Sequence, residues 1–425
     1  MSAPCGEPLP LFRSGHVLAA EQACVLRLET DPDDVEALKV VAVAALRRGD
    51  APRAIAKLTH ASRVDPADTI VRYHLARAHE LAGNVIAALA WYDTALALAP
   101  DFHLARLNYG AALERAGQDR RALWQWARAL RDAQARGRWL DTSTTPAGLQ
   151  PLVGRAVRAV RDGRRELLAQ ALEPLESRYG GAALGRVRHA LRIYLQEEPA
   201  QSADPRQQPT FLAFPGLPAV PIPDRALFEW IGPLEAQYAA IRAELAALLP
   251  QAAGRERVFD SDALERANLR GSHGAPAWDG YYFYRHGERR DDNCARCPAT
   301  ARALEALPLS RVPGHGPEVL FSVFAPGTQL LPHRGVTNTR LVAHLPLIVP
   351  ADCALRVGSK LHVWREGEVV VFDDTYEHEA WNRSGETRVV LIFDVWSPHL
   401  TEVERLALAD LVGAIGDFRR AVEVA

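Results

Sequence analysis

Three histidines and two arginines in the last third of the chain have the side chains to work together. His333, Arg340 and His344 lie within "LLPHRGVTNTRLVAHLPL" (330–347). His378 follows in "EGEVVVFDDTYEHEAWN" (366–382), and Arg388 in "TRVVLIFDVWSP" (387–398). All sit in apolar stretches, where a charged or polar group is costly to bury unless something partners it. Neutral imidazole is a common transition-metal ligand and suits iron. Arginine presents a planar fork matched to a carboxylate. Two imidazoles, His333 and His378, with two such forks, Arg340 and Arg388, are the inventory of a non-haem Fe(II) site that also takes the dicarboxylate 2-oxoglutarate. The general metal triad for such iron has a carboxylate two residues after the first histidine; here that position is Gly335.

These residues need strands to hold them. After about residue 278 the hydrophobic period moves towards two. "GYYFYR", "EVLFSVF", "RLVAHLPLIV", "CALRVG", "KLHVW", "GEVVVFDD" and "TRVVLIFDVW" read as short strands divided by Gly, Pro, Asn or Asp. Seven or so close-spaced strands predict a sandwich or barrel. Alternation then puts Arg340, Val342 and His344 on one face of their strand, and Arg388, Val390, Ile392 and Asp394 on one face of theirs. If both faces look inward, the interior is polar and large enough for one ligand. The closing "TEVERLALADLVGAIGDFRRAVEV" predicts a helix with Thr401 as N-cap and Glu402 and Glu404 in its first turn.

The first third repeats itself. Gly49, Gly83 and Gly117 stand 34 residues apart, and Ala54, Ala88 and Ala122 keep the same period. So do Ala44, Ala78 and Ala112, the prolines 66 and 100, the bulky residues Leu58, Tyr92 and Trp126, and Ala61, Ala95 and Ala129. Small residues let paired helices approach, glycines turn them, and prolines end them. This resembles the tetratricopeptide repeat, with Leu38, Arg72 and Arg106 where that family often has an aromatic residue. Such a stack either offers a groove to a peptide or partner protein or supports the next domain. Tyr73, Trp91, Tyr92, Trp124 and Trp126 are expected in its core. "DTSTTPAG" (141–148) reads as a linker, 149–198 as further helix, 200–224 as an extended proline-rich entry, and 228–250 as one amphipathic helix. The expected domains are an N-terminal segment (1–34), helical repeats (35–140), a linker and connector (141–205) and a β-rich domain with flanking helices (206–425).

Charge and composition exclude other classes. The chain has 425 residues, a formal net charge of −2 and 48% hydrophobic residues, so no basic excess points to nucleic acid. Five cysteines in a chain this long do not form a disulfide framework. "CARC" (294–297) lacks a second pair for zinc and reads as free thiols in a loop. Residues 1–15 show no basic-then-apolar leader, and no apolar run approaches the about 20 residues of a membrane span. A cytoplasmic protein with no membrane span is expected.

"FSVFAPGTQLLPHRGVTNTRLVAHLPL" (321–347), "EGEVVVFDDTYEHEAWN" and "TRVVLIFDVWSP" together resemble the catalytic domain of aspartyl/asparaginyl β-hydroxylases, which also carry histidine-x-glycine at the first histidine. The likeness is densest over 318–401 and thinner over 209–317. "DVWSPHL" departs from the family's pattern at Ser397 and His399. The resemblance implies a multidomain chain, a helical solenoid of repeats followed by a double-stranded β-helix (jelly-roll, cupin-like) oxygenase domain. It implies Fe(II) held by His333 and His378, with water in place of the carboxylate. Arg388 and Ser322 would hold the distal carboxylate of 2-oxoglutarate, and Arg340 and His344 its chelating end. The implied reaction uses O2 and 2-oxoglutarate to hydroxylate Asp or Asn side chains of a peptide or protein, which the repeats could present. The alternatives are the same chemistry on a small-molecule, carrier-tethered or lipid substrate, and a repeat scaffold with an inactive barrel. Asp373 and Asp374 are expected to shape the turn before His378. His286, His315, His362 and His399 are expected in loops or at the surface.

Overall fold

A computed structural model of the chain describes residues 17–250, 254–271 and 277–425; the leader-free reading of residues 1–15 lies outside them. Two compact units divide the chain: Met1–Arg164 with Phe418–Ala425, and Arg165–Asp417.

The first unit is built of helical pairs at the 34-residue period. The pairs are Val35–Arg47 with Ala51–Val64, Thr69–Leu81 with Val85–Leu98, and His103–Arg115 with Asp119–Gln134; Val17–Thr30 precedes them and Gln150–Gln170 follows. Gly49, Gly83 and Gly117 all have φ between +71° and +81°, a left-handed turn that glycine adopts without a Cβ penalty. Asp34, Asp50, Asp68 and Asn84 cap their helices by accepting a backbone N–H three residues on. Leu58, Tyr92 and Trp126 are buried between neighbouring pairs, as are Tyr73 and the small residues around them, while Trp91 and Trp124 are half-buried. Arginine takes the place of the early aromatic by a different bond. Arg72 Nε donates to the Pro66 carbonyl at 3.1 Å, and Arg106 Nη2 to the Pro100 carbonyl at 2.8 Å, so each ties its helix to the turn six residues before it.

Among its described residues the second unit carries twelve short strands: β1 (Arg255–Arg257), β2 (Leu269–Gly271), β3 (Trp278–Arg285), β4 (Glu288–Arg289), β5 (Val319–Phe324), β6 (Thr328–His333), β7 (Arg340–Ile348), β8 (Cys353–Val357), β9 (Lys360–His362), β10 (Val370–Phe372), β11 (His378–Asn382) and β12 (Arg388–Trp396). They form two sheets with antiparallel neighbours throughout. The larger has the order β1-β3-β5-β12-β7-β10 with β4 beside β3, and the smaller β2-β6-β11-β8-β9. The larger sheet is buried on both faces, which is why β5 and β12 read as nearly continuous apolar runs. Phe321, Val323, Leu391 and Phe393 pack against helices Ile231–Glu235, Tyr238–Leu248 and Pro298–Glu305. Phe324, Val342 and Phe372 face Leu330, Leu355 and Ala380 of the smaller sheet.

Three local expectations change. The single helix over 228–250 is two, with a turn after Glu235, whose carboxylate accepts from Val369 N–H at 2.7 Å and Arg225 at 2.9 Å. Strands β1, β2, β4, β6 and β11 are additional; in β6 and β11 polar residues at inward positions break the alternation that would reveal them. Cys294 and Cys297 lie in and just after a helix, Asp291–Arg296, as buried free thiols. Thr401 caps the last helix, Glu402–Val424, as expected, and does so reciprocally: Glu404 N–H donates to Thr401 Oγ1 at 3.2 Å and Thr401 N–H to Glu404 Oε2 at 2.9 Å.

The repeat packing can be tested at Gly110, where an added Cβ would lie 2.4 Å from Cδ1 of the buried Trp126. Helix propensity favours Ala over Gly by about 1 kcal/mol, and overpacking a tight core costs about 1–3 kcal/mol. Gly110→Ala is therefore expected to destabilise the chain in urea unfolding; a raised midpoint would refute the close approach.

Candidate active site

His333 and His378 end up directly opposite one another on the β6–β11 ladder. Their ring centroids are 4.1 Å apart. Each Nδ1 faces a backbone carbonyl two residues back, Leu331 O at 2.8 Å and Tyr376 O at 3.1 Å. A carbonyl only accepts, so both Nδ1 atoms carry the proton and both Nε2 lone pairs are left for a cation. Burial, with His333 alongside, pushes His378 down to about 3 and keeps it neutral. Among the described residues no three His, Cys, Asp or Glu side chains gather as a metal-holding group; the imidazoles are a pair.

Gly335 accounts for part of that. A Cβ placed there would lie 2.1–2.2 Å from the Asp374 carboxyl group. The carboxylate that the general triad places at 335 thus has a counterpart in space, brought by the turn between β10 and β11. Asp374 is buried, pairs with Arg340 Nη2 at 3.1 Å and leaves Oδ1 without a partner. Asp373 does shape the turn, accepting from Thr375 N–H at 2.9 Å and from Gln207 at 2.6 Å. The neighbouring aspartates therefore part company, and only Asp374 reaches the cavity.

At the closed end lies Arg388, 1% exposed. Its guanidinium is sandwiched between the rings of Phe324 at 4.3 Å and Trp364 at 4.4 Å. Nη1 donates to Ser322 Oγ at 3.3 Å, and Ser322 also accepts from Trp278 Nε1 at 2.9 Å. Among the described residues Arg388 has no ion-pair partner, and its Nε has no acceptor. Burial lowers it only to about 9, so it stays cationic at neutral pH. Ring faces offset some of the lost hydration, but desolvating a charge still costs several kcal/mol. His344, across the ladder from Ile392, is also buried; its Nδ1 is unsatisfied, and burial beside Arg388 holds it well below its ordinary range, hence neutral.

Arg340 stands differently from Arg388. Its Nη1 meets Asp394 Oδ1 at 2.7 Å and its Nη2 meets Asp374, so both arms are already matched by carboxylates. It lines the same cavity without a free fork.

A cavity of about 330 Å³ joins these groups, lined by Ser322, His333, Arg340, His344, His378 and Arg388 together with the apolar Leu320, Val342 and Ile392. Glu318, Asp394 and Asp374 line it too. Of these, period-two alternation had placed Asp394 on the face of Arg388. His286, expected at the surface, is exposed and forms part of the rim. Nothing in the local sequence marks Glu318 or Trp364; their neighbours come from other strands.

The fit between Gly335 and Asp374 can be measured as a coupling. Gly335→Ala is expected to cost about 1–3 kcal/mol by crowding the carboxylate. Asp374→Ala should remove the crowding partner, so the double variant should lose less than the sum of the single losses in thermal or urea unfolding. Additive losses would show that the two residues do not touch.

Parts of the chain are similar to known proteins. The aspartyl/asparaginyl β-hydroxylase family model matches residues 235–398, and a tetratricopeptide repeat model residues 45–107. The human protein named aspartyl/asparaginyl beta-hydroxylase is 33% identical over 181 residues, 42% of this chain and 23% of that protein. The ornithine lipid ester-linked acyl 2-hydroxylase of Rhizobium tropici is 35% identical over 181 residues, 42% of this chain and 61% of that protein. Aspartate beta-hydroxylase domain-containing protein 1 of Bos taurus is 32% identical over 271 residues, 61% of this chain and 70% of that protein. The chain thus spans about a quarter of the human relative and three fifths of the Rhizobium one. By the match to the bovine protein, the chain belongs to the aspartyl/asparaginyl β-hydroxylase family.

Proposed function

We propose that the second unit is an Fe(II)- and 2-oxoglutarate-dependent hydroxylase that acts on Asp or Asn side chains of a peptide or protein. One observation carries it: a fully buried guanidinium without a counter-ion, Arg388, at the closed end of a cavity that also presents two aligned imidazoles. The donor set fits the absent groups. His333 and His378 would hold Fe(II) through their free Nε2 atoms. Arg388 with Ser322 would take the far carboxylate of 2-oxoglutarate as the missing counter-ion. His344, with its unsatisfied Nδ1, would meet the chelating end, and Arg340 would border it. With Fe(II) bound, O2 and 2-oxoglutarate together would supply the chemistry: 2-oxoglutarate would be oxidatively decarboxylated to succinate and CO2, one oxygen atom of O2 entering succinate and the other a substrate C–H bond.

The chain's own residues orient and exclude. Phe324 and Trp364 keep Arg388 flat and dry, so an incoming carboxylate meets a charge whose desolvation is already complete. The backbone carbonyls of Leu331 and Tyr376 fix the tautomer of both histidines. Arg340 holds Asp374 beside the imidazole pair, where its free Oδ1 can accept from a water. In this proposal residues 206–425 form a double-stranded β-helix oxygenase domain, 35–140 a repeat domain that presents a peptide or protein partner, and 141–205 the connector. A cytoplasmic setting suits the buried free thiols of Cys294, Cys297 and Cys353. Among the described residues no helix is long and apolar enough to cross a membrane.

A second reading has its own observation: the similarity to an ornithine lipid acyl 2-hydroxylase, together with the apolar Leu320, Val342 and Ile392 in the cavity wall. On that reading the same chemistry acts on a lipid or other small molecule.

The test is spectroscopic. Metal-free protein given Fe(II) and then 2-oxoglutarate under anaerobic conditions is expected to develop a visible charge-transfer band. His333→Ala and Arg388→Ala should each abolish it at matched concentrations. A folded wild-type protein with no band would remove the oxygenase proposal.

A further inference from the structure

The cavity is electrically polar along its length. On β12, Arg388, Val390, Ile392 and Asp394 share the face that borders it, since side chains alternate. Six residues at about 3.3 Å each put the two charged ends about 20 Å apart along the strand. The closed end is cationic, with Arg388. Leu320 and Ile392 lie side by side across the middle with His344 opposite Ile392, and Val342 stands opposite Asp394. The far end opens to solvent, where Asp260 and His286 are exposed.

That open end is rich in carboxylates. Asp260, Glu318, Asp374 and Asp394 line it against Arg285 and Arg340. Both guanidiniums are already matched there. Arg285 donates to Glu256 at 2.5 Å and to Asp260 at 2.6 Å, and Arg340 pairs with Asp374 and Asp394. The carboxylates retain unused acceptor capacity. Asp374 Oδ1 is buried and without a partner. Glu318 Oε1 accepts from His286 N–H at 2.6 Å and faces its Nδ1 at 3.0 Å, while Asp394 Oδ2 accepts from Glu318 N–H at 3.1 Å. A carboxylate offers about four lone-pair sites, so these groups can take further donors. Among the described residues of the mouth, no arginine has a free arm to receive an anion.

Resting on the hydroxylase reading of this site, we propose that the part of the substrate that meets the mouth is cationic. An ammonium or guanidinium flanking the hydroxylated position would dock between Glu318 and the Asp394–Arg340–Asp374 chain. The group could be a lysine or arginine neighbour in a peptide or the amine of a smaller substrate; the shared chemistry is a hydrogen-bonding cation. Arg388 remains the place for the dicarboxylate, so the two reactants are held by opposite charges at opposite ends.

The test uses two capped nonapeptides, each with one central Asn, flanked by lysines in one and by glutamates in the other, and both carrying an uncharged nitrobenzoxadiazole label. Fluorescence anisotropy with the metal-free full chain reads their binding at 50 and 500 mM NaCl. The lysine peptide is expected to bind at least tenfold more tightly at low salt, with the gap narrowing at high salt. Glu318→Lys should reverse the preference. Asp260→Lys, at an exposed position where folding is not at stake, should cut it several-fold. Equal binding, a preference for the glutamate peptide, or a lysine preference unchanged in both variants would overturn the proposal. The anaerobic band separates the two ideas: a band without lysine preference removes the substrate class alone, whereas a lysine preference without a band leaves a cation-binding mouth and removes the hydroxylase.

Discussion

Arg388 is a buried charge for which the described protein supplies no opposite charge. Such a group is tolerated only if the surrounding fold is stable enough to carry it, or if something else completes it. Its neighbours show how the first condition is met. Phe324 and Trp364 cover its two faces, and Ser322 takes one N–H. They do not neutralise it. Because the remaining donor capacity points into a cavity, the arrangement makes sense as half of an ion pair whose other half arrives with a ligand.

Holding that half-pair requires a sheet with two different faces. The larger sheet packs its helix side with Phe321, Val323, Leu391 and Phe393, a dry apolar layer. Its other side carries Ser322, Arg388, His344, Asp394 and Arg340, interleaved with Leu320, Ile392 and Val342. The first face provides the burial that stabilises the strands, and the second is freed from that task. The smaller sheet closes over the polar face and contributes the histidine pair, one from each of two adjacent strands. Cross-strand register, rather than any loop, therefore fixes the distance between the two imidazoles.

Much of this was legible in the residues. The 34-residue period gave the helical pairs, and the period-two pattern gave most of the larger sheet, including the shared face of Arg388 and Asp394. The smaller sheet was harder to see. β6 and β11 carry His333 and His378 at positions where an ordinary strand would put an apolar residue, so the functional groups themselves hid the strands that hold them. The difference between Arg340 and Arg388 was invisible for another reason. Both are strand arginines in apolar stretches, but only the fold reveals that Asp374 and Asp394 converge on one of them and none on the other.

Gly335 and Asp374 illustrate why an apparent omission in a motif need not be an omission in the site. Read linearly, the glycine removes a carboxylate from beside the first histidine. In three dimensions it removes a Cβ, and the space is filled by a carboxylate from a residue 39 positions later in the sequence. The exchange has a physical consequence. A carboxylate on residue 335 would be tethered to the same strand end as His333 and would follow it. Asp374 is instead held by Arg340, which is held in turn by Asp394 of β12. The acidic group that fills the glycine's space is thereby tied to the same ion-pair chain, Asp374–Arg340–Asp394, that lines the cavity mouth.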